Sequence, residues 1–271
     1  MNLFEQIIYS LQKTMETPTN YGLFHIISIA IVVATTIVVC LLLKNRNEKI
    51  FKRFLFVCWL LILILEIYKQ IIFSFEYSDG AAKWDYQWYA FPFQFCSLQL
   101  YLLPFVIFLK DGKVRDAIIA FLATFSFFGG LAVYIYPNDV FVSTIGINIQ
   151  TMIHHGLQIV LGILFMVYYH KKLSMKFFLS SIVVFVSCIA VAMILNAIVP
   201  TFTTETFNMF YISPLYECTL PILGSIYQKV HYILFLLLYI FGFSLVAFLM
   251  YLLLSITIKL INKKTNKTLN S

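Results

Sequence analysis

Residues 91–109 read FPFQFCSLQLYLLPFVIFL, an apolar stretch of membrane-spanning length with a polar run, Gln94, Cys96, Ser97 and Gln99, near its start. A helix crossing a hydrocarbon core of about 30 Å needs roughly 20 residues, which this stretch supplies. Polar groups inside lipid are costly, so where they occur they usually mark a site. Cys96 is the residue in the run able to act as a nucleophile without a cofactor, because a thiolate attacks carbonyl carbon readily once a neighbouring base or positive charge favours it.

The whole chain resembles this stretch. Of 271 residues, 61% are hydrophobic and 11% charged, and the mean hydropathy is +0.90. That is too much apolar surface for one soluble core, so the composition predicts an all-α, polytopic membrane helix bundle. Seven stretches are long enough to span, near 22–43, 54–74, 91–109, 117–136, 149–169, 177–198 and 230–258. Met1 to Asn20 carries Glu5 and Glu16, has no basic start and lacks a small-residue cleavage site, which argues against a cleaved leader. Leu3, Phe4, Ile7, Ile8, Leu11 and Met15 recur at helical spacing and predict a short amphipathic helix in the interface. The chain thus divides into an interfacial segment 1–20, one transmembrane domain 21–260 and a basic tail 261–271.

A net charge of +7 raises the question of nucleic acid, but the distribution answers it. Lys44, Arg46, Lys49, Lys52 and Arg53 form one cluster, and Lys110, Lys113 and Arg115 another. Lys171, Lys172 and Lys176 form a third, and Lys259, Lys263, Lys264 and Lys267 close the chain. All four fall between or after apolar spans at alternate connections, which is a topology signal and not a nucleic-acid patch. It predicts an outside N-terminus and a cytoplasmic C-terminus in the cell membrane. The five cysteines show no paired spacing, and neither a disulfide framework nor a zinc site is expected. No P-loop or dinucleotide fingerprint is present, so no cofactor or metal is called for.

The other three connections differ. Glu76 to Tyr89 is acidic and rich in Tyr and Trp, as befits a segment at headgroup level, and Pro137, Asn138 and Asp139 start a turn. Val199 to Lys229 is apolar but broken by Pro200, Pro214, Pro221 and Gly224, which predicts a re-entrant or interfacial lid. With this topology Glu66, Lys69, Gln94, Cys96, Gln99, Gln150, Thr151, His154, His155 and Asn196 fall in the same, outer half of the bundle. His25 and His231 lie near the ends of their spans and read as wet interfacial residues. Glu66 and Lys69 are three apart on one helix face, as a local ion pair or part of a site. A Cys and a His on different helices at one depth have the composition of a thiol–imidazole pair, with either His154 or His155 as base.

The run Phe91-Pro92-Phe93-Gln94-Phe95-Cys96-Ser97 resembles the P-x-[HQ]-x-C-[SD] signature of the YwaF-like bacterial integral membrane proteins, relatives of the animal transmembrane protein 164. Gln150 to Gly156 resembles that family's histidine-bearing fifth helix, and Asn208-Met209-Phe210-Tyr211 with Pro214 its Asn-aromatic segment. The resemblance implies a seven-span fold and acyl transfer between membrane phospholipids, with the family's Cys on Cys96 and its His on His154 or His155. Gln94 stands where many bacterial relatives carry His. Gln94, Gln99 and Asn196 are candidate oxyanion donors, and Glu66, Lys69 and Asn208 complete the expected polar site. The rival reading is a transporter or receptor for a small solute or ion, with Glu66, Lys69 and the histidines as binding or relay groups. In a third, the polar cluster is only helix–helix glue.

The charge pattern carries its own test. A cysteine introduced at Ser78 is labelled by an impermeant thiol reagent from outside, and one at Asn47 only after permeabilisation; the reverse pattern overturns the depth assignment.

Overall fold

The computed structural model describes residues 2–78, 80–138 and 140–269, with side chains at all of these but 262 and 264–269. Along them run α1 (Leu3–Leu11), α2 (Leu23–Leu43), α3 (Glu48–Ile72), a hairpin of β1 (Phe75–Ser78) and β2 (Ala81–Trp84), and α4 (Leu98–Phe108). Then come α5 (Lys113–Phe121), α6 (Phe127–Ile135), α7 (Ile145–Tyr168), α8 (Met175–Ile198), α9 (Leu223–Tyr227) and α10 (Tyr232–Leu269). Five helical runs among the described residues are long and apolar enough to cross a membrane: Leu23–Leu43, Lys113–Ile135, Ile145–Tyr168, Met175–Thr201 and Tyr232–Ile261. The chain is a multi-pass helical membrane protein. Its outer helices present Ile31, Val38, Leu41, Val183, Leu237 and Leu253 outward, a surface that water would not tolerate and lipid does.

The two remaining expected spans are α3, whose first turns carry Glu48, Lys49, Lys52 and Arg53, and a shorter apolar stretch, Phe95–Phe108. That stretch departs from the expected 91–109. Residues 91–94 are irregular, Phe95–Ser97 form a 3-10 turn and α4 follows. Fourteen helical residues rise only about 21 Å, so this helix begins inside the bundle. Non-helical backbone at such depth is tolerated only where protein covers it. Pro104 sits inside α4 and has no N–H, which frees the Leu100 carbonyl four residues earlier. Trp59 of α3 takes that role, its indole Nε1 donating to Leu100 O at 2.9 Å.

α7 is the central post, packing against α2, α3 and α6. α5 and α6 are joined by a π-helical turn, Leu122–Ser126, that is buried throughout. Close approach of α6 to α7 depends on glycine. A Cβ on Gly130 would stand 2.6 Å from the His155 carbonyl, and one on Gly162 would stand 2.5 Å from Phe127 Cβ.

The basic connections meet at one end, as the charge pattern requires. Lys52 Nζ donates to Leu109 O at 3.2 Å, Tyr168 Oη to Arg46 O at 3.0 Å, and Lys172 Nζ pairs with Asp116 at 2.7 Å. Arg115, counted above with the loop charges, is instead 1% exposed. It donates to Val106 O at 2.8 Å and to Tyr169 Oη at 3.1 Å, and pairs with Glu48 at 2.8 Å and with Asp111. A buried guanidinium needs such partners to offset desolvation, so Arg115 locks this end of the bundle.

At the opposite end, α1 is a capped amphipathic helix with Asn2 and Glu5 exchanging capping-box bonds. Ile8 is buried while Leu3, Phe4 and Ile7 are exposed, so it has an inner and an outer apolar edge. Its neighbour is the β1–β2 hairpin within the segment expected only to lie at headgroup level. Phe4 meets Phe75 edge-on at 5.1 Å, Tyr9 meets Tyr77 at 5.3 Å, and Gln12 donates to Phe75 O. Asp139 of the Pro137 turn lies outside the described residues, as do the side chains of Lys264 and Lys267. α10 runs on to Leu269, through most of the region read as a separate tail.

The glycine packing is testable. Gly130→Val, which overpacks the α6–α7 contact, lowers the melting temperature of the purified protein by several degrees; Gly242→Val, where nothing lies within 4 Å of the new Cβ, does not. Equal melting temperatures would contradict the close approach.

Candidate functional site

The late start of the 95–108 helix puts Cys96 at its first turn, against α6 and α7. The Cys96 carbonyl is the knot of a polar cluster: His154 Nε2 lies 3.0 Å from it and Gln158 Nε2 donates to it at 2.9 Å. Gln99 Nε2 returns the connection, donating to the His154 carbonyl at 3.0 Å, and Gln158 Nε2 also reaches Ser126 Oγ at 3.3 Å. The thiol itself turns to α6. A Cβ on Gly129 would stand 3.5 Å from Cys96 Sγ and 2.8 Å from the Phe95 ring, so glycine there makes the space that the thiol faces. No hydrogen bond joins the thiol to either imidazole among the described residues. Cys96 and the His154 imidazole meet through the cysteine's backbone.

A carbonyl oxygen only accepts, so His154 Nε2 carries the proton and Nδ1 is left with a lone pair. That nitrogen is buried and has no partner among the described residues, and neither have Gln99 Oε1 and Gln158 Oε1. Three unpartnered acceptors in one buried cluster are unusual, since almost all buried polar atoms find a partner. His155 is held in the opposite tautomer, its Nδ1 donating to Thr151 O at 2.8 Å and its Nε2 keeping the lone pair. The two rings meet edge-on at 5.3 Å. His154 is buried, and Cys96 and His155 keep some accessible surface while enclosed by protein.

Glu66 and Lys69 form the anticipated ion pair at 2.9 Å, with Glu66 4% exposed. Gln70 extends it: its Nε2 donates to Glu66 Oε1 at 2.7 Å and to Ala90 O at 2.9 Å, and its Oε1 accepts from Tyr86 Oη at 2.9 Å. Burial, with the charges of Glu66 and Tyr101 adding, pushes the Tyr86 phenol up to about 12, so it remains a neutral donor. The Lys69 ammonium lies within electrostatic reach of Cys96, His154 and His155. This network runs from Lys69 on α3 to Tyr86 at the end of the bundle opposite the basic loops.

The remaining candidates hold the segment 199–229. Gln94 donates to Asn208 O at 3.1 Å and accepts from Phe210 N at 2.9 Å. Asn196 brackets Met209, donating to its carbonyl at 3.0 Å and accepting from its N–H at 2.7 Å. Asn208 accepts from Ser213 N at 2.8 Å and donates to Glu217 O at 3.2 Å. These amides impose a tight turn in which Phe210 and Tyr211 have φ of 60° and 58°. Phe207, Met209, Phe210 and Ile212 are fully buried by it, and Phe210 stacks on Phe93 at 5.9 Å and meets Phe95 edge-on at 6.0 Å. The lid therefore closes on the residues either side of Gln94, while Phe202, Leu215 and Ile222 stay exposed on its outer surface.

Two histidines stand apart. His25, expected to be wet, is 0% exposed: its Nδ1 accepts from Tyr21 N at 3.0 Å and its Nε2 donates to Tyr134 O at 3.1 Å, which leaves neither nitrogen free. His231 is exposed at the start of α10, as expected. Sequence reading passed over Ser126, Gly129, Gly130 and Gln70. The adjacent glycines in the middle of a span were the available signal, because small residues in membrane helices mark close approach.

No group of three or more His, Cys, Asp or Glu side chains among the described residues is placed to hold a metal ion. No curated protein and no solved structure matches the chain. The profile of the TMEM164 family matches residues 20–255, from α2 through most of α10, and takes in Cys96, both histidines and the lid. The chain is a member of the TMEM164 family.

Proposed function

We propose that the protein is a lipid acyltransferase or transacylase of the cell membrane, with Cys96 as nucleophile and His154 or His155 as base. The observation that carries this reading is the unpartnered Nδ1 of His154, buried one backbone carbonyl away from the only cysteine in the polar cluster. Catalytic contacts are often loose in an empty site and tighten on binding, and rotation about the Cys96 Cα–Cβ bond changes the thiol's facing without disturbing the carbonyl.

In this mechanism the imidazole takes the thiol proton, and sulfur attacks the carbonyl carbon of a phospholipid ester. The ester C–O bond breaks, and the departing lysolipid alkoxide takes the proton back from imidazolium. A hydroxyl of a second lipid then gives its proton to the imidazole, attacks the thioester and releases the thiol. The developing oxyanion takes the second amide N–H of Gln99, whose Nε2 spends the first on His154 O. Gln94, Asn196 and Asn208 act indirectly, holding the lid, and Lys69 supplies a positive field tempered by Glu66. The outer apolar surface of the lid supports lateral entry of an acyl chain from the leaflet away from the basic loops.

The second reading, a receptor or transporter for a solute, draws on the continuous chain Lys69, Glu66, Gln70 and Tyr86, which leads along α3 to the outer connections. Three variants separate the two. Purified wild type, incubated with mixed phospholipid and lysophospholipid, redistributes acyl chains by mass spectrometry. Cys96→Ser and Cys96→Ala lose this by orders of magnitude with unchanged melting temperature, whereas Glu66→Gln loses far less. Full transfer by Cys96→Ala ends the covalent mechanism, and a severe defect only in Glu66→Gln favours the solute reading. Of the two histidine variants, the one that serves as base matches the cysteine variants in loss; equal, mild effects of His154→Ala and His155→Ala would remove both from that role.

A further inference from the structure

A concavity lies outside the polar cluster, at the end of the bundle opposite the basic loops. It is a cleft of about 440 Å³ lined by Trp84, Asp85, Tyr86, Trp88, Phe91 and Glu205. Its wall is a continuous run of rings. Tyr86 lies near-parallel to Trp84 at 6.2 Å and perpendicular to Trp88 at 5.2 Å. Behind them Phe207, fully buried, meets Trp88 at 6.3 Å and Phe91 at 5.5 Å. The two charged residues of the lining are both acidic, both exposed, and neither is in an ion pair among the described residues. Among the described residues, the Asp85 carboxylate accepts from the neutral amide of Gln87, at 3.1 Å.

We infer that this cleft binds an organic ammonium cation, of the methylated class that aromatic boxes recognise, with the rings supplying their negative faces and Asp85 and Glu205 the countercharge. Ring quadrupoles attract a cation that is large and weakly hydrated, and carboxylates add attraction without demanding a tight hydrogen-bond geometry. A neutral apolar ligand would leave the two carboxylates with nothing to pair. A metal ion would prefer more oxygen ligands than one lining Asp and one lining Glu provide. Phe91 ties the cleft to the run that carries Cys96, and Glu205 ties it to the lid, so an occupant bridges two connections that elsewhere meet through the Gln94 hydrogen bonds and through apolar packing. The inference stands on the cleft alone and holds whatever reaction Cys96 performs.

The chemistry admits a free cation or a cationic lipid headgroup, and the experiment separates them. The protein, purified in an uncharged detergent, is titrated with choline and with its uncharged isostere 3,3-dimethylbutan-1-ol, following tryptophan fluorescence. Choline gives a saturable change and the isostere binds at least about tenfold more weakly. Glu205→Gln, on the exposed lid, and Trp84→Leu, on the exposed rim, each weaken choline about fivefold while the melting temperature holds. The titration is repeated in bilayers of phosphocholine lipid and of phosphoglycerol lipid. Competition confined to phosphocholine bilayers identifies the headgroup as the occupant, and equal choline binding in both identifies the free cation. Equal affinity for choline and its isostere, or no saturable binding in detergent and no phosphocholine-dependent change in bilayers, overturns the proposal.

Discussion

The carbonyl oxygen of Cys96 accepts hydrogen bonds from both His154 and Gln158, and the arrangement of the protein's interior depends on that convergence. Backbone that leaves helical geometry inside a membrane must find partners in the protein itself, because lipid offers none. The irregular run 91–94 and the short helix after it create such a need. α7 meets it with two side chains, and Gln99 returns one bond to α7. The same solution recurs where Pro104 frees the Leu100 carbonyl and Trp59 occupies it, and in the lid, where Gln94, Asn196 and Asn208 clamp a strained turn.

These demands leave functional consequences. Polar side chains recruited to hold backbone spend one half of their hydrogen-bonding capacity and keep the other half free inside the bundle. His154 Nδ1, Gln99 Oε1 and Gln158 Oε1 are the free halves. An imidazole fixed through Nε2 has its basic nitrogen defined, which is the preparation that a general base needs. Gly129 and Gly130 clear the facing surface of α6, and the Lys69–Glu66 pair brings charge to the margin without leaving either ion alone in low dielectric.

Much of this was legible in the sequence, and the limit is physical. Long apolar runs and alternating basic connections identify spans because hydrocarbon thickness and charge placement act on every residue. The shared depth of Cys96 and the His154–His155 doublet followed from the topology, which left open the imidazole that meets the cysteine; the contact is His154 Nε2 on the Cys96 carbonyl. What composition does not carry is partner choice. His25 sits at a span end like a wet residue, yet Tyr21 and Tyr134 from distant positions satisfy both its nitrogens. Arg115 looks like one more loop charge until Glu48, Asp111 and Tyr169 enclose it. Gln94 and Asn196 read as oxyanion donors and Asn208 as part of the polar site, and their amides lie on the lid backbone. The hairpin at 75–84 escaped notice because Gly80 supplies a positive φ of 80° within a segment whose aromatic residues already accounted for an interfacial position.

The measurement closest to the central claim is capture of the covalent intermediate. The protein is incubated with a phospholipid in the absence of any acyl acceptor, quenched in acid, digested and mapped by mass spectrometry. The account predicts an acyl adduct on the peptide containing Cys96, released by neutral hydroxylamine as a thioester is, and absent from Cys96→Ser under that treatment. Acyl transfer by an active preparation with no adduct on Cys96, or with the adduct on another cysteine, would contradict it.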